Sequence, residues 1–210
     1  MKLKSGFKIV FTGDSITDAG RMGQFYPLGN GYVKFFAELL ASAYPELSVQ
    51  IFNTGISGNT VKDLKDRWDD DVLSLSPDWL IILIGINDLN RYLDGVTELS
   101  PESYERTYDE LLFAAEKEVR GITLITPFYI SRGSYPGTRR DAVLKLLPSY
   151  TDAVRRLRVK HSTELIDLQA DFENLVKKRE PTAFALEPIH PNEAGHLFMA
   201  MKLLSYVELA

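Results

Sequence analysis

Trp79-Leu80-Ile81-Ile82-Leu83-Ile84, followed at once by Gly85-Ile86-Asn87-Asp88, is the stretch from which the fold can be read. Six consecutive apolar residues are too few for most helices and lack the polar alternation of a half-exposed strand. The run therefore predicts a strand covered on both faces, in the middle of a parallel sheet. Upstream, Phe7 to Thr12 and Ser48 to Asn53 read as two more strands, and downstream Ile122 to Thr126 and Glu164 to Leu168 complete five. Helical periods separate them. Apolar residues at 32, 35, 36, 39, 40 and 43 form a stripe ended by Pro45. Thr60, with Asp63 three positions on, caps a helix whose inner face is Val61, Leu64, Trp68 and Val72. Ser100-Pro101 opens another, carrying Tyr104, Tyr108, Leu111, Leu112, Ala115 and Val119, with Gly121 as its stop. A long irregular stretch from Pro127 to Pro148 is expected next, then helices over 149–160, 171–179 and 192–209. Alternating β and α units of this size imply a parallel sheet with helices on both faces, in one α/β domain spanning residues 1–210.

Composition narrows the function classes. With 210 residues, 45% of them hydrophobic and 25% charged, the chain suits a soluble globular protein that buries roughly 70% of its unfolded surface. It has no cysteine, so neither disulfides nor thiolate chemistry is available. Lys and Arg number 24 against 29 Asp and Glu, a net charge of −5 that argues against a general nucleic-acid binder. The early apolar stretch at 7–11 contains Lys8 and is too short to span a bilayer or form a signal-peptide core. The expectation is a cytoplasmic protein with no membrane partner.

Ligands of an open parallel sheet bind beyond the carboxyl ends of its strands. Gly13-Asp14-Ser15-Ile16-Thr17, Asn53-Thr54-Gly55-Ile56-Ser57-Gly58-Asn59 and Gly85-Ile86-Asn87-Asp88 each follow a strand, and Glu187-Pro188-Ile189-His190-Pro191-Asn192 leads into the final helix. Taken singly, each is more often a turn, a cap or a helix entrance than a site. Together they bring a Ser, a glycine turn, an Asn and a His toward one edge, the residue types of acyl transfer. A serine hydroxyl needs a positioned base, which His190 supplies to Ser15. The N–H groups of Ser15 and Gly58 and the Asn87 amide are the candidate oxyanion donors. Glu187, three residues before His190, is the candidate orienting acid, and Asp14 is expected to hold the nucleophile turn by accepting backbone hydrogen bonds.

The four segments resemble the blocks of the SGNH hydrolases, also called GDSL esterases and lipases, with Ser15, Gly58, Asn87 and His190 at the four name-giving positions. The resemblance runs from Gly13 to the last helix. It implies a three-layer α/β/α sandwich, flavodoxin-like in outline with five parallel strands, and no metal or organic cofactor. Gly13 to Arg21, Gly55 to Lys65 and Thr126-Pro127-Phe128-Tyr129-Ile130 look most like the intracellular acetylxylan esterase branch, which implies removal of acetyl groups from xylo-oligosaccharides through an acyl-enzyme on Ser15. A longer-chain carboxylesterase, lipase or thioesterase is the alternative, and a weakened sugar-binding relative a further one. A homo-oligomer is compatible with that branch.

One position departs from the family pattern, which is Asp-x-x-His where this chain has Glu187-Pro188-Ile189-His190. Glutamate is one methylene longer, so its carboxylate must fold back or its loop must shift, and Pro188 restricts Glu187 to extended backbone. A working Glu triad, a Ser–His dyad and a weakened enzyme remain open, the first being favoured. The other histidines, His161 and His196, are read as structural. Asp18 and Arg21 are expected to form an ion pair, with Arg21 lining the acyl pocket as the alternative, Trp68 and Trp79 to pack in the core, and Arg139-Arg140 to lie on a solvated face. Substrate contacts are expected from loops at 18–30, 88–99 and 127–148, with Tyr26, Tyr92, Phe128 and Tyr129 as aromatic surface.

Overall fold

The computed structural model describes residues 1–209. Its central sheet contains β2 (Lys8–Gly13), β3 (Gln50–Asn53), β4 (Trp79–Leu83), β5 (Gly121–Ile125) and β6 (Glu164–Ile166), in the order β3-β2-β4-β5-β6 with every pairing parallel. The apolar run at 79–83 is the middle strand, and all five of its residues are buried. A strand covered on both faces gains apolar burial from every side chain, which explains why the run has no polar member. Trp79 lies across Gly121 on the neighbouring strand and donates from Nε1 to Thr123 Oγ1 at 2.9 Å. A further two-stranded parallel pair, β1 (Lys2–Leu3) with β7 (Glu208–Leu209), ties the two ends of the described chain together and is not foreshadowed in the sequence.

Nine α-helices are seen among the described residues: α1 (Ser15–Asp18), α2 (Tyr32–Ala43), α3 (Val61–Asp66), α4 (Trp68–Asp71), α5 (Ile86–Leu93), α6 (Pro101–Ala115), α7 (Arg139–Lys160), α8 (Leu168–Lys178) and α9 (Glu193–Leu204). None is long and apolar enough to cross a membrane. The cap at Thr60 forms a full capping box with Asp63, and Ser100 accepts the Ser103 N–H ahead of Pro101. Trp68 and Trp79 are buried in the core, as expected.

The structure corrects several elements. The helix expected from Thr60 through Val72 is broken at Arg67, whose backbone (φ −116°, ψ 12°) leaves the helical region, although Val61, Leu64, Trp68 and Val72 all remain buried. Residues 86–93, expected in part as a loop, form α5; only Ile86, Asp88 and Leu89 are buried, too few for a legible stripe. The irregular stretch ends ten residues early, because α7 begins at Arg139 and runs through Pro148. Proline removes one hydrogen bond and costs about 3 kcal/mol within a helix. Thr138 caps the start through the Asp141 N–H. Val143, Leu147, Tyr150, Val154 and Leu157 then carry one buried face across the proline, and their packing exceeds its cost. Phe128 and Tyr129 are core residues, not aromatic surface, whereas Tyr26 is exposed.

Candidate active site

Beyond the carboxyl ends of β2, β3 and β4 the chain turns three times within a small space. Gly13 closes β2 where an added Cβ would stand 2.1 Å from the Leu83 carbonyl of β4, so only glycine allows the strands to approach there. Asp14 caps the short helix α1, its Oδ1 accepting the Ile16 N–H at 3.0 Å, and Ser15 is the first helical residue. Its hydroxyl therefore stands at the lip of the sheet. Ser15 Oγ lies 2.8 Å from His190 Nε2, across 175 positions of sequence.

His190 is presented by a loop closed on itself. Asn192 N–H donates to the Phe184 carbonyl at 2.8 Å, Ala185 and Pro191 form an antiparallel bridge, and the Pro188 carbonyl accepts the Ile130 N–H at 2.8 Å. Within that loop the Glu187 side chain folds back over its own turn. Oε1 accepts the His190 N–H at 2.7 Å and lies 2.5 Å from His190 Nδ1, while Oε2 accepts the Ile189 N–H at 2.9 Å. The extra methylene is taken up by this fold-back. A carboxylate at Nδ1 keeps that nitrogen protonated, which leaves Nε2 as an acceptor toward Ser15. Both side chains are about half exposed, 55% for His190 and 48% for Glu187, so substrate and water reach them.

The opposite wall is the turn at 54–59. Gly58 has φ +83°, a conformation L-residues rarely adopt, and this orients its peptide N–H. Neither the Gly58 nor the Ser15 N–H is taken up by an acceptor among the described residues. Asn87, in the first turn of α5, donates from Nδ2 to the Asn59 carbonyl at 3.0 Å, and its second amide hydrogen is left for another acceptor. Ser15, His190 and Glu187 are thus joined in one chain of hydrogen bonds, and Asn87 is tied to the turn that carries Gly58.

Several residues that shape this wall escaped sequence reading. The Arg67 guanidinium reaches the Gly13 carbonyl (3.1 Å), the Thr54 carbonyl (2.6 Å) and Asn59 Oδ1 (2.7 Å), bolting the first turn to the second. Arg91 donates to the Gly58 carbonyl at 2.7 Å, and Asn53 spans Thr17, Leu28 and Gly55. Asp18 does not form the expected ion pair with Arg21. It accepts both the backbone N–H and the hydroxyl of Ser57, and Arg21 instead donates to the Gly55 carbonyl at 2.6 Å. Arg139 is likewise not simply solvated, since it holds Asp94 and the Asn90 carbonyl. Long cationic side chains reach carbonyls far away in sequence, so only spacing after folding reveals them.

Asp14 and Asp88, the sequence neighbours of Ser15 and Asn87, are buried carboxyls. Burial pushes Asp14 up from the usual 3.8 to about 7, against the lowering effects of the Ile16 N–H and of His190. Asp88 is also pushed up to about 7, mainly by burial and further by the Asp14 and Asp63 charges, although the Val61 N–H opposes this. A buried acid of this kind favours the protonated folded state. Its contribution is fully present below about pH 4 and is lost as pH rises through about 7. Asp88→Asn keeps an acceptor for Val61 but removes the titrating proton. Thermal unfolding from pH 5 to 8 is expected to show a steeper fall in Tm for the wild type than for Asp88→Asn; parallel curves would refute the assignment. His196, buried in α9, accepts the Tyr32 N–H at Nδ1, and burial lowers it to about 4, so it is neutral and structural. His161 lies between Asp109 and Glu116 and bonds to none of the residues around Ser15.

Comparison with known proteins gives a consistent picture. Residues 11–197 match the model of the GDSL-like lipase/acylhydrolase family. An acetylxylan esterase of Geobacillus stearothermophilus is 40% identical over 213 residues, covering 97% of this chain and 95% of that protein. The crystal structure of Axe2, an acetylxylan esterase of the same organism, superposes with a TM-score of 0.88 at 39% identity, covering 98% of this chain and 95% of that one. LAE5, an alpha/beta hydrolase enzyme from the metagenome of Lake Arreo, gives 0.87 at 38% identity over 97% and 95% of the two chains.

Proposed function

The chain belongs to the GDSL-like lipase/acylhydrolase family and is a serine carboxylic-ester hydrolase, and on that premise we propose that it removes O-acetyl groups from xylo-oligosaccharides. The observation that carries the catalytic part is the continuous relay from Ser15 Oγ to His190 Nε2 (2.8 Å) and from His190 Nδ1 to Glu187 Oε1 (2.5 Å). The preference for acetyl groups on xylo-oligosaccharides is supported by the full-length similarity to an acetylxylan esterase.

In this reading Ser15 Oγ attacks the acetyl carbonyl while His190 Nε2 takes the hydroxyl proton, and the Glu187 carboxylate stabilises the resulting imidazolium. The oxyanion forms between the N–H groups of Ser15 and Gly58 and the Asn87 amide, donors already oriented before substrate arrives. Each such donor is worth on the order of 10²–10³ in kcat. Collapse of the intermediate transfers the proton from His190 to the departing sugar oxygen and leaves an acetyl-enzyme. Water, deprotonated by the same nitrogen, then releases acetate and restores the serine. We place the reaction in the cytoplasm, which cell fractionation tests.

The competing reading, a longer-chain carboxylesterase or thioesterase, is separated by a series of 4-nitrophenyl esters. Acetyl is expected to be the best substrate, with kcat/KM falling at least tenfold beyond butyryl; each misplaced methylene is worth about 1–3 kcal/mol in a fitted pocket. A maximum at octanoyl or decanoyl would displace the acetyl assignment. Acetylated xylo-oligosaccharides left intact by an enzyme active on aryl acetates would displace the sugar.

A further inference from the structure

The turn that presents Gly58 has a defined type. The Asn59 N–H donates to the Ile56 carbonyl at 3.2 Å, so Ile56-Ser57-Gly58-Asn59 is a β-turn, and the positive φ of Gly58 at its third position is that of type II. The turn type sets which way the Ser57–Gly58 peptide faces. It does not set where the turn stands relative to Ser15. An oxyanion donor has to lie about 2.7–3.1 Å from its oxygen, and a misplacement of about 1 Å costs on the order of 10² in rate. Two N–H groups from separate loops therefore serve one oxygen only if something fixes their spacing.

Resting on the oxyanion role given above to the Ser15 and Gly58 N–H groups, we propose that Asp18 is a positioning residue that holds Ser57, and through it the Gly58 N–H, at a set distance from Ser15. Ser15 opens α1 and Asp18 closes it, so both ride on one short piece of helix. Asp18 Oδ2 accepts twice from Ser57, from its backbone N–H at 3.2 Å and from its hydroxyl at 2.6 Å. That residue is the one immediately ahead of Gly58, whereas Arg91 binds the Gly58 carbonyl, which belongs to the following peptide. The turn also packs directly on α1, since a Cβ on Gly55 would stand 2.4 Å from the Asp18 nitrogen. Ser57 is exposed, so water is open to its hydroxyl, yet the hydroxyl is spent on a buried carboxylate. Asp18 Oδ1 is buried with no hydrogen-bond partner among the described residues. A buried oxygen left unsatisfied costs stability, so folding alone does not account for this carboxylate.

Asp18→Ala, Asp18→Asn and Ser57→Ala test the assignment on 4-nitrophenyl acetate, with active sites counted by a fluorophosphonate titration run to completion. Asp18→Ala is expected to lower kcat per active site by about 10- to 100-fold with KM within threefold. Asn keeps an oxygen for both Ser57 donors, and Asp18→Asn is expected to recover most of the loss. Ser57→Ala alters an exposed side chain and leaves the backbone bond in place; kcat is expected to fall about fivefold with Tm unchanged. Methylboronic acid adds to the serine hydroxyl and places an oxygen where the oxyanion forms, so it is expected to bind Asp18→Ala at least tenfold more weakly than wild type. Both Ser57→Ala and Asp18→Ala within twofold of wild type in kcat, a loss confined to KM, or unchanged boronate affinity would overturn the role of Asp18. If Asp18→Ala does not fold, Ser57→Ala decides alone. A wild type that neither hydrolyses the ester nor is labelled at Ser15 would instead overturn the catalytic reading on which the proposal rests.

Discussion

Ser15→Ala is expected to lower hydrolysis of 4-nitrophenyl acetate on the order of 10⁶-fold in kcat while leaving thermal unfolding within a degree or two of wild type. The size follows from the role proposed for the hydroxyl. No other group near His190 Nε2 forms the acyl bond, so the variant retains only the contribution of the oxyanion donors and of substrate binding, about 10³–10⁴ over water. The small effect on folding follows from the contacts. The Ser15 side chain makes one hydrogen bond, to a half-exposed imidazole, and α1 is capped by Asp14 independently of it. His190→Ala is expected to cost nearly as much, and the double variant hardly more than either, because residues that act as one unit do not add. Purified Ser15→Ala with more than about a thousandth of wild-type activity would rule the nucleophile assignment out.

The second large effect concerns Glu187. Glu187→Gln is expected to lower kcat by about 10⁴, since an amide nitrogen set against Nδ1 forces the wrong imidazole tautomer and leaves the developing positive charge unsupported. Glu187→Asp is expected to be slower than wild type as well, despite restoring the more common residue of the family pattern. The present carboxylate reaches Nδ1 only by folding back over the turn, where it also binds the N–H groups of Ile189 and His190. Withdrawing it by one methylene, about 1.5 Å, without moving Pro188 removes that fit, and misplacement by about 1 Å costs on the order of 10². Measured kcat for the two variants distinguishes the open mechanisms. A Gln variant within tenfold of wild type would favour a Ser–His dyad, and an Asp variant faster than wild type would mean that the longer side chain is a handicap.

Much of the sheet was legible because its causes are local. The buried run at 79–83 has no polar residue, the Thr60–Asp63 box and the Ser100-Pro101 pair satisfy helix ends within four residues, and Pro45 stops α2. Errors arose where a distant partner outweighed a local signal. Pro148 reads as a boundary, yet the buried face from Val143 to Leu157 carries α7 through it. The stripe from Val61 to Val72 reads as one helix, yet Arg67 leaves it and spends its guanidinium on Gly13, Thr54 and Asn59. Phe128 and Tyr129 read as aromatic surface because they follow a strand end. They are buried: Phe128 packs on Phe172 (ring centroids 4.8 Å apart), and the Tyr129 N–H donates to Gln169.

Sequence by itself determined the five strands of the central sheet, the middle position of 79–83, and which four segments lie at strand ends or at the last helix entrance. Periodicity, caps and turn chemistry act over a few residues and leave their mark there. Only the tertiary structure decided that Ser15 and His190 meet across 175 positions, that Glu187 folds back onto the imidazole, and that Arg67 and Arg91 clamp the turn carrying Gly58. Those are contacts of side chains a few ångströms long, made at distances that exist only after the sheet has brought the strand ends together.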